Sequence, residues 1–125
     1  MASTLTLLDV TGIQGFIFGS NRLAENVGAS YLVKQALGDW LRAECTDGCE
    51  LLFSGGGNAL VRSPNPKGAK NLVTRLHLKL LEDAPGLGLA CAHHAEDRDE
   101  RFADVYTTLH KKLARSKREK LPDVA

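Results

Sequence analysis

The stretch "FSGGGNALV", Phe53–Val61, places three consecutive glycines, Gly55, Gly56 and Gly57, between two short apolar runs, and Asn58 opens the second run. Two glycines between strand-like runs signal a tight hairpin. A glycine run also serves where backbone has to lie against something else, such as a phosphate or another chain. The stretch is therefore either a bare turn or a surface for a partner, and the flanking sequence has to separate the two.

Working outward, Glu50–Ser54 and Asn58–Ser63 read as the paired strands of that hairpin. Upstream, Leu32, Val33, Ala36, Leu37, Trp40 and Leu41 recur at helical spacing, which predicts an amphipathic helix from about Ala29 to near Glu44, ahead of Asp47-Gly48. Before it, Thr4–Val10, "TLTLLDV", is rich in apolar and β-branched residues and ends at Thr11-Gly12, a strand followed by a turn. Downstream, "SPNPKG" (Ser63–Gly68) interrupts the pattern with two prolines. A second helix is expected from about Ala69 to Asp83, with Leu72, Val73, Leu76 and Leu80 on one face and Pro85-Gly86 as the stop. Leu87–Ala95 suits a buried strand, and a third helix is expected over Arg101–Arg115, burying Phe102, Val105, Tyr106, Leu109 and Leu113. The succession βαββαβ plus an additional C-terminal helix is the α+β, ferredoxin-like arrangement: an antiparallel sheet with two helices on one face, here filling residues 1–125 as a single domain.

Composition agrees with one globular domain. The chain has 125 residues, of which 43% are hydrophobic and 25% charged. A formal net charge of +1 provides no overall field for nucleic acid or an anionic membrane. The charges are segregated, however, into "EDRDE" (Glu96–Glu100) and "HKKLARSKREK" (His110–Lys120). A solvated helix face accounts for the basic run, with a ligand surface as the alternative. Cys45, Cys49 and Cys91 make an odd count without framework spacing, as expected of reduced thiols. The opening "MASTLTLLDVTG" is not a basic leader with a long apolar region, and no run approaches the roughly 20 apolar residues of a membrane span. A cytoplasmic protein without membrane contact is expected.

Many functions use this fold, so the residues have to choose among them. Its RNA-recognition version stacks bases on aromatics of the central strands, and neither Thr4–Val10 nor Asn58–Ser63 contains one. Its palm version, in polymerases and nucleotide cyclases, places one acidic residue at the end of the first strand and two more in the hairpin, where they hold two divalent ions. Asp9 stands at the first of these places, although it equally suits a cap for the following turn. The hairpin tip offers Gly57 and Asn58, and neither supplies negative charge. The shape of a nucleotide site is thus expected without the charge for a metal pair, and the glycine N–H groups can face a phosphate. His93 and His94 are adjacent in a strand and point to opposite faces, so one in the core and one exposed is expected rather than a metal site. His77 and His110 have no partner at ligand spacing.

Taken together, "LDVTGIQGFIF" (Leu8–Phe18), "GASYLV" (Gly28–Val33) and "FSGGGNALV", in this order and at these intervals, resemble the first palm domain of the large subunit of type III CRISPR effector complexes, or a standalone relative of it. The resemblance spans nearly the whole chain. It implies a palm that lacks catalytic residues and faces a second palm with a Gly-Gly-Asp-Asp hairpin. The second palm converts ATP into cyclic oligoadenylate in antiviral defence once target RNA is bound. The same resemblance implies that Asp9, Gly12, Gln14, Ser30, Ser54, Gly55, Gly56, Gly57 and Asn58 lie at or near the nucleotide, with Phe16 and Phe18 packed beneath. ATP is the implied ligand, with Mg or Mn supplied by the partner palm, and RNA is met only indirectly through the effector complex. The family's large subunit has further domains, including an HD nuclease in many members, a second palm and a helical tail, none of which these 125 residues contain. A fragment, a split subunit or a standalone palm is therefore expected, inactive alone and able to form a homodimer in isolation. Two alternatives stay open. One is a standalone dimeric nucleotidyl cyclase that uses Asp9 with Glu50, Glu96 or Asp97. The other is a non-enzymatic RNA-binding or interaction module that uses the basic C-terminal helix.

Overall fold

The computed structural model describes residues 3–11, 31–46, 48–55, 57–84, 87–97 and 99–120. Strand β1 (Thr4–Thr11) leads to helix α1 (described over residues 31–44), the hairpin of β2 (Glu50–Gly55) and β3 (Asn58–Ser63), helix α2 (Pro66–Asp83), strand β4 (Gly88–Ala95) and helix α3 (Phe102–Lys120). The four strands form one antiparallel sheet in the order β2-β3-β1-β4, as the succession of elements predicts.

Strand β1 lies in the middle and is apolar on both faces. Leu8 and Val10 join Ala59 and Val61 of β3 in a core closed by Leu37 and Leu41 of α1 and by Leu72, Leu76 and Leu80 of α2. Leu5 and Leu7 point the other way and pack with Leu60, Ala90 and Ala92 under Val105, Leu109 and Leu113 of α3. Two helices therefore cover one face, and the additional C-terminal helix covers the other. Period-two alternation along β1 supplies both cores from one strand.

Several boundaries differ from the sequence reading. α2 begins at Pro66 rather than Ala69, because Asn65 caps it: its side chain accepts a hydrogen bond from the Gly68 N–H at 2.7 Å, and Pro66 takes the first helical position. The two prolines that read as a break are thus a start signal, since proline at that position loses no intrahelical bond. α3 runs to Lys120, past Arg115. Its sheet-facing stripe is Val105, Leu109 and Leu113, and Phe102, expected in the core, is 54% exposed. Phe102 instead lies on Tyr106, ring centroids 6.0 Å apart, and Tyr106 in turn meets Phe53 of β2 at 5.8 Å. α1 changes to a π-helical turn over Ala36–Trp40 before returning to α-helix at Leu41–Glu44. Its expected start at Ala29 lies outside the described residues, as do Phe16 and Phe18.

His93 and His94 point to opposite faces, as adjacent strand residues do, but both are half-buried. His93 Nδ1 bonds Thr6 Oγ1 at 2.8 Å, and His94 sits between Glu100 (3.1 Å) and Lys112 (3.1 Å). The expected exposed histidine is therefore enclosed by an acidic and a basic neighbour.

Two measurements test this packing. In urea, Leu60→Ala loses about 2–5 kcal/mol of stability, the range for a fully buried leucine, whereas Asn65→Ala loses about 1 kcal/mol through the α2 cap. Burial holds the His93 imidazole below its ordinary value of 6.5, and the ammonium groups of Lys70 and Lys112 act in the same direction. The unfolded chain then binds the proton more readily than the folded one, so this contribution is complete above pH 6.5 and is lost as pH falls below it. Melting temperature is expected to decline between pH 7 and pH 5, with a shallower decline in His93→Gln.

Candidate functional site

The register brings the ends of three strands into one row, with Gly55 opposite Asn58 and Asn58 opposite Asp9. Between the hairpin strands, Gly57 has φ +83°, a left-handed conformation that glycine adopts without steric cost. A Cβ at Gly57 would come 3.8 Å from Asp9 Oδ1, so the turn rests beside that carboxylate. A Cβ at Gly55 would meet nothing within 4 Å. The glycines therefore differ: Gly57 is needed for the turn, and Gly55 leaves open space.

A cavity of about 540 Å³ lies between the hairpin and α1. Ser54, Gly55 and Gly57 form one wall, and α1 forms the other with Val33, Lys34, Gln35, Leu37, Gly38, Asp39 and Arg42. Arg42 is paired with Asp39 across one turn at 3.8 Å, and both side chains remain about 70% exposed (69% and 72%), which leaves the guanidinium available to a ligand. Lys34, Gln35, Asp39 and Arg42 escaped the sequence reading because they read as the solvated face of an amphipathic helix.

The sheet separates this cavity from the other expected residues. Asp9 continues the Leu5–Leu7 side of β1 and Asn58 the Leu60 side of β3, so both lie on the α3 face. Asp9 is 14% exposed and forms an ion pair with Lys117 near the end of α3. The expected cluster is thus divided: Ser54, Gly55 and Gly57 line the cavity, and Asp9 and Asn58 stand behind the turn with Lys117. Gly12, Gln14, Ser30 and Gly56 lie outside the described residues. Lys117 also escaped the sequence reading, although a signal exists: Val105, Leu109, Leu113 and Lys117 recur every four residues, so the lysine continues the sheet-facing stripe.

The donors at the hairpin tip do not suit a pair of divalent ions. Among the described residues, no group of three or more His, Cys, Asp or Glu gathers. Of the three carboxylates expected as complements to Asp9, Glu50 and Glu96 both pair with Arg62, at 4.0 and 2.7 Å, and Asp97 directly follows Glu96. Arg62 lies opposite Leu5, four residues along β1 from Asp9, which is roughly 13 Å at strand rise. Asp9 and these carboxylates therefore occupy opposite ends of the sheet within one chain. Cys45 and Cys49 form no disulfide, and burial together with the neighbouring Cys49 raises the Cys45 thiol above its ordinary value. No helix among the described residues is long and apolar enough to cross a membrane.

An antiparallel sheet in the order β2-β3-β1-β4, with a hairpin tip beside the end of the first strand and helices on both faces, is a palm of the nucleotide-cyclase type. Solved structures share it. The Csm1–Csm4 cassette in complex with one ATP matches with a TM-score of 0.79 at 12% identity, covering 95% of this chain and 20% of that one. The diguanylate cyclase SiaD of Pseudomonas aeruginosa, bound to its activator SiaC, matches with a TM-score of 0.73 at 15% identity, covering 95% of this chain and 47% of that one. Csm1 of T. onnurineus matches with a TM-score of 0.68 at 21% identity, covering 98% and 20%. The chain thus spans about half the length of the SiaD chain and a fifth of the Csm1 chains. No protein-family model and no curated protein sequence matches it. At these identities the likeness is one of fold.

The two glycines give a direct check on the hairpin. Gly57→Ala is expected to lose about 1–2 kcal/mol in urea denaturation, the cost of a left-handed conformation for a residue with a Cβ. Gly55→Ala is expected to stay within about 0.5 kcal/mol of the parent.

Proposed function

We propose that this chain is the non-catalytic palm of a type III CRISPR large-subunit-like protein, one cytoplasmic unit of a larger antiviral assembly. In this reading its hairpin and α1 form half of an ATP pocket. A second palm with a Gly-Gly-Asp-Asp hairpin, on the same or a separate chain, completes the pocket, brings the metal ions and makes cyclic oligoadenylate. RNA acts on the chain indirectly through the assembly.

The observation that carries the reading is the cavity beside the glycine hairpin. Its volume of about 540 Å³ falls in the range of small-ligand sites. Its lining has the chemistry of a nucleotide: backbone at Gly55 and Gly57 for close approach, a hydroxyl at Ser54, and two cations, Lys34 and Arg42, for phosphates. The fold supports the same reading, since it is shared with structures described as Csm1–Csm4 bound to ATP, to pppApApA and to cA4. Among the described residues no metal-suited donor set gathers at Asp9, which favours a palm that binds over one that catalyses.

Titrating the ¹⁵N-labelled chain with ATP is expected to shift the amides of Ser54, Gly55 and Gly57. Arg42→Ala and Lys34→Ala are each expected to weaken binding about tenfold or more, as lost charge-assisted contacts do. Incubation of the chain alone with ATP and Mn²⁺ is expected to give no oligonucleotide. Product formation would overturn the non-catalytic reading, and shifts confined to α3 would overturn the placement of the nucleotide.

A further inference from the structure

Two rows of side chains meet on the α3 face of the sheet. Along β1 the row is Leu5, Leu7, Asp9; along α3 it is Val105, Leu109, Leu113, Lys117. Each row is apolar until its last member, and the last members carry opposite charges and touch. Asp9 keeps only 14% of its side chain exposed, while Lys117 keeps 41%. The carboxylate is thus enclosed by the sheet, the Gly57 turn and the lysine stem, and the ammonium closes it on the solvent side.

We infer that Lys117 is a built-in counter-ion that holds the position a divalent cation takes at the end of a palm's first strand, so that Asp9 is closed to metal. This goes beyond the non-catalytic palm reading and rests on it only for the comparison with metal-binding palms. The physical argument has two parts. A cation bound at the Asp9 oxygens would sit within contact range of an ammonium group, and two like charges at such distances repel, the more so beside a carboxylate that is only 14% exposed. The lysine is also part of the same chain, so its effective concentration at Asp9 is in the millimolar range or above, a level that a weak single-carboxylate metal contact does not displace. Lys117 is therefore a specificity-determining residue: it selects against metal at this half-site and fixes the last turns of α3 over the hairpin tip.

The test uses Mn²⁺ alone with the full ¹⁵N-labelled chain, reading paramagnetic broadening at the amides of Asp9, Gly57 and Asn58. Site-resolved detection is needed because the acidic run Asp97–Glu100 attracts metal elsewhere. The parent chain and Lys117→Arg are expected to show no selective broadening at these three amides. Lys117→Met is expected to show it at Mn²⁺ concentrations about tenfold lower than any effect in the parent, the equivalent of one partly enclosed ion pair. Asp9→Asn combined with Lys117→Met is expected to abolish it. Lys117→Gln provides the same comparison if the methionine variant does not fold, as judged from amide dispersion. Equal responses of the parent and the neutral variants, whether both broaden or neither does, would overturn the inference, as would broadening that survives the loss of Asp9. No nucleotide is present, so the outcome is independent of whether ATP binds in the α1 cavity.

Discussion

The structure depends on a central strand with two apolar faces. Leu5, Leu7, Leu8 and Val10 of β1 are all at most 3% exposed, and β1 is paired along both edges. Fully burying a residue of this kind contributes about 1.5–3 kcal/mol, but only if each face is covered. One face receives α1 and α2, and the other receives α3. A chain with this strand and without its last helix would leave Leu5, Leu7 and Leu60 open to water. α3 is therefore part of the fold in the same sense as the two helices that a ferredoxin-like arrangement requires.

Much of this was legible in the sequence. The strands could be read because glycine pairs and short apolar runs delimit them, and β3 begins and ends where the pattern places it. α2 was misplaced by three residues because two prolines read as a break, whereas the cap at Asn65 turns the second of them into a first helical residue. The core side of α3 was misassigned at Phe102, since helical periodicity allows it on the stripe but cannot tell where the sheet beneath ends. The site was harder to read. A hairpin announces itself locally through Gly55 and Gly57, but a cavity wall consists of whichever side chains the opposing helix happens to present, and Lys34 and Arg42 carry no local mark.

The position of the charges follows from the same alternation. Asp9 is reached by counting two residues from Leu7, so it cannot face the α1 cavity, and the resemblance that groups it with Ser54 and the glycines joins residues on two sides of a sheet. Gly57 connects the two sides, since its turn lines the cavity and also rests on the Asp9 carboxylate. The hairpin tip is accordingly supported from behind by an ion pair while its front is left open.

The wide turn in α1 has a consequence for how such a site changes over evolutionary time. Lys34 and Arg42 are eight residues apart, which in an uninterrupted α-helix would set them about 80° apart around the axis. The π-helical turn over Ala36–Trp40 acts as one inserted residue and reduces that offset to about 20°, aligning both cations on the cavity. Deleting a single codon within this turn would restore regular winding and rotate one cation out of line while the sheet stayed as it is. The lining of this cavity is therefore open to revision by a one-residue length change in a helix, without any substitution in the glycine hairpin.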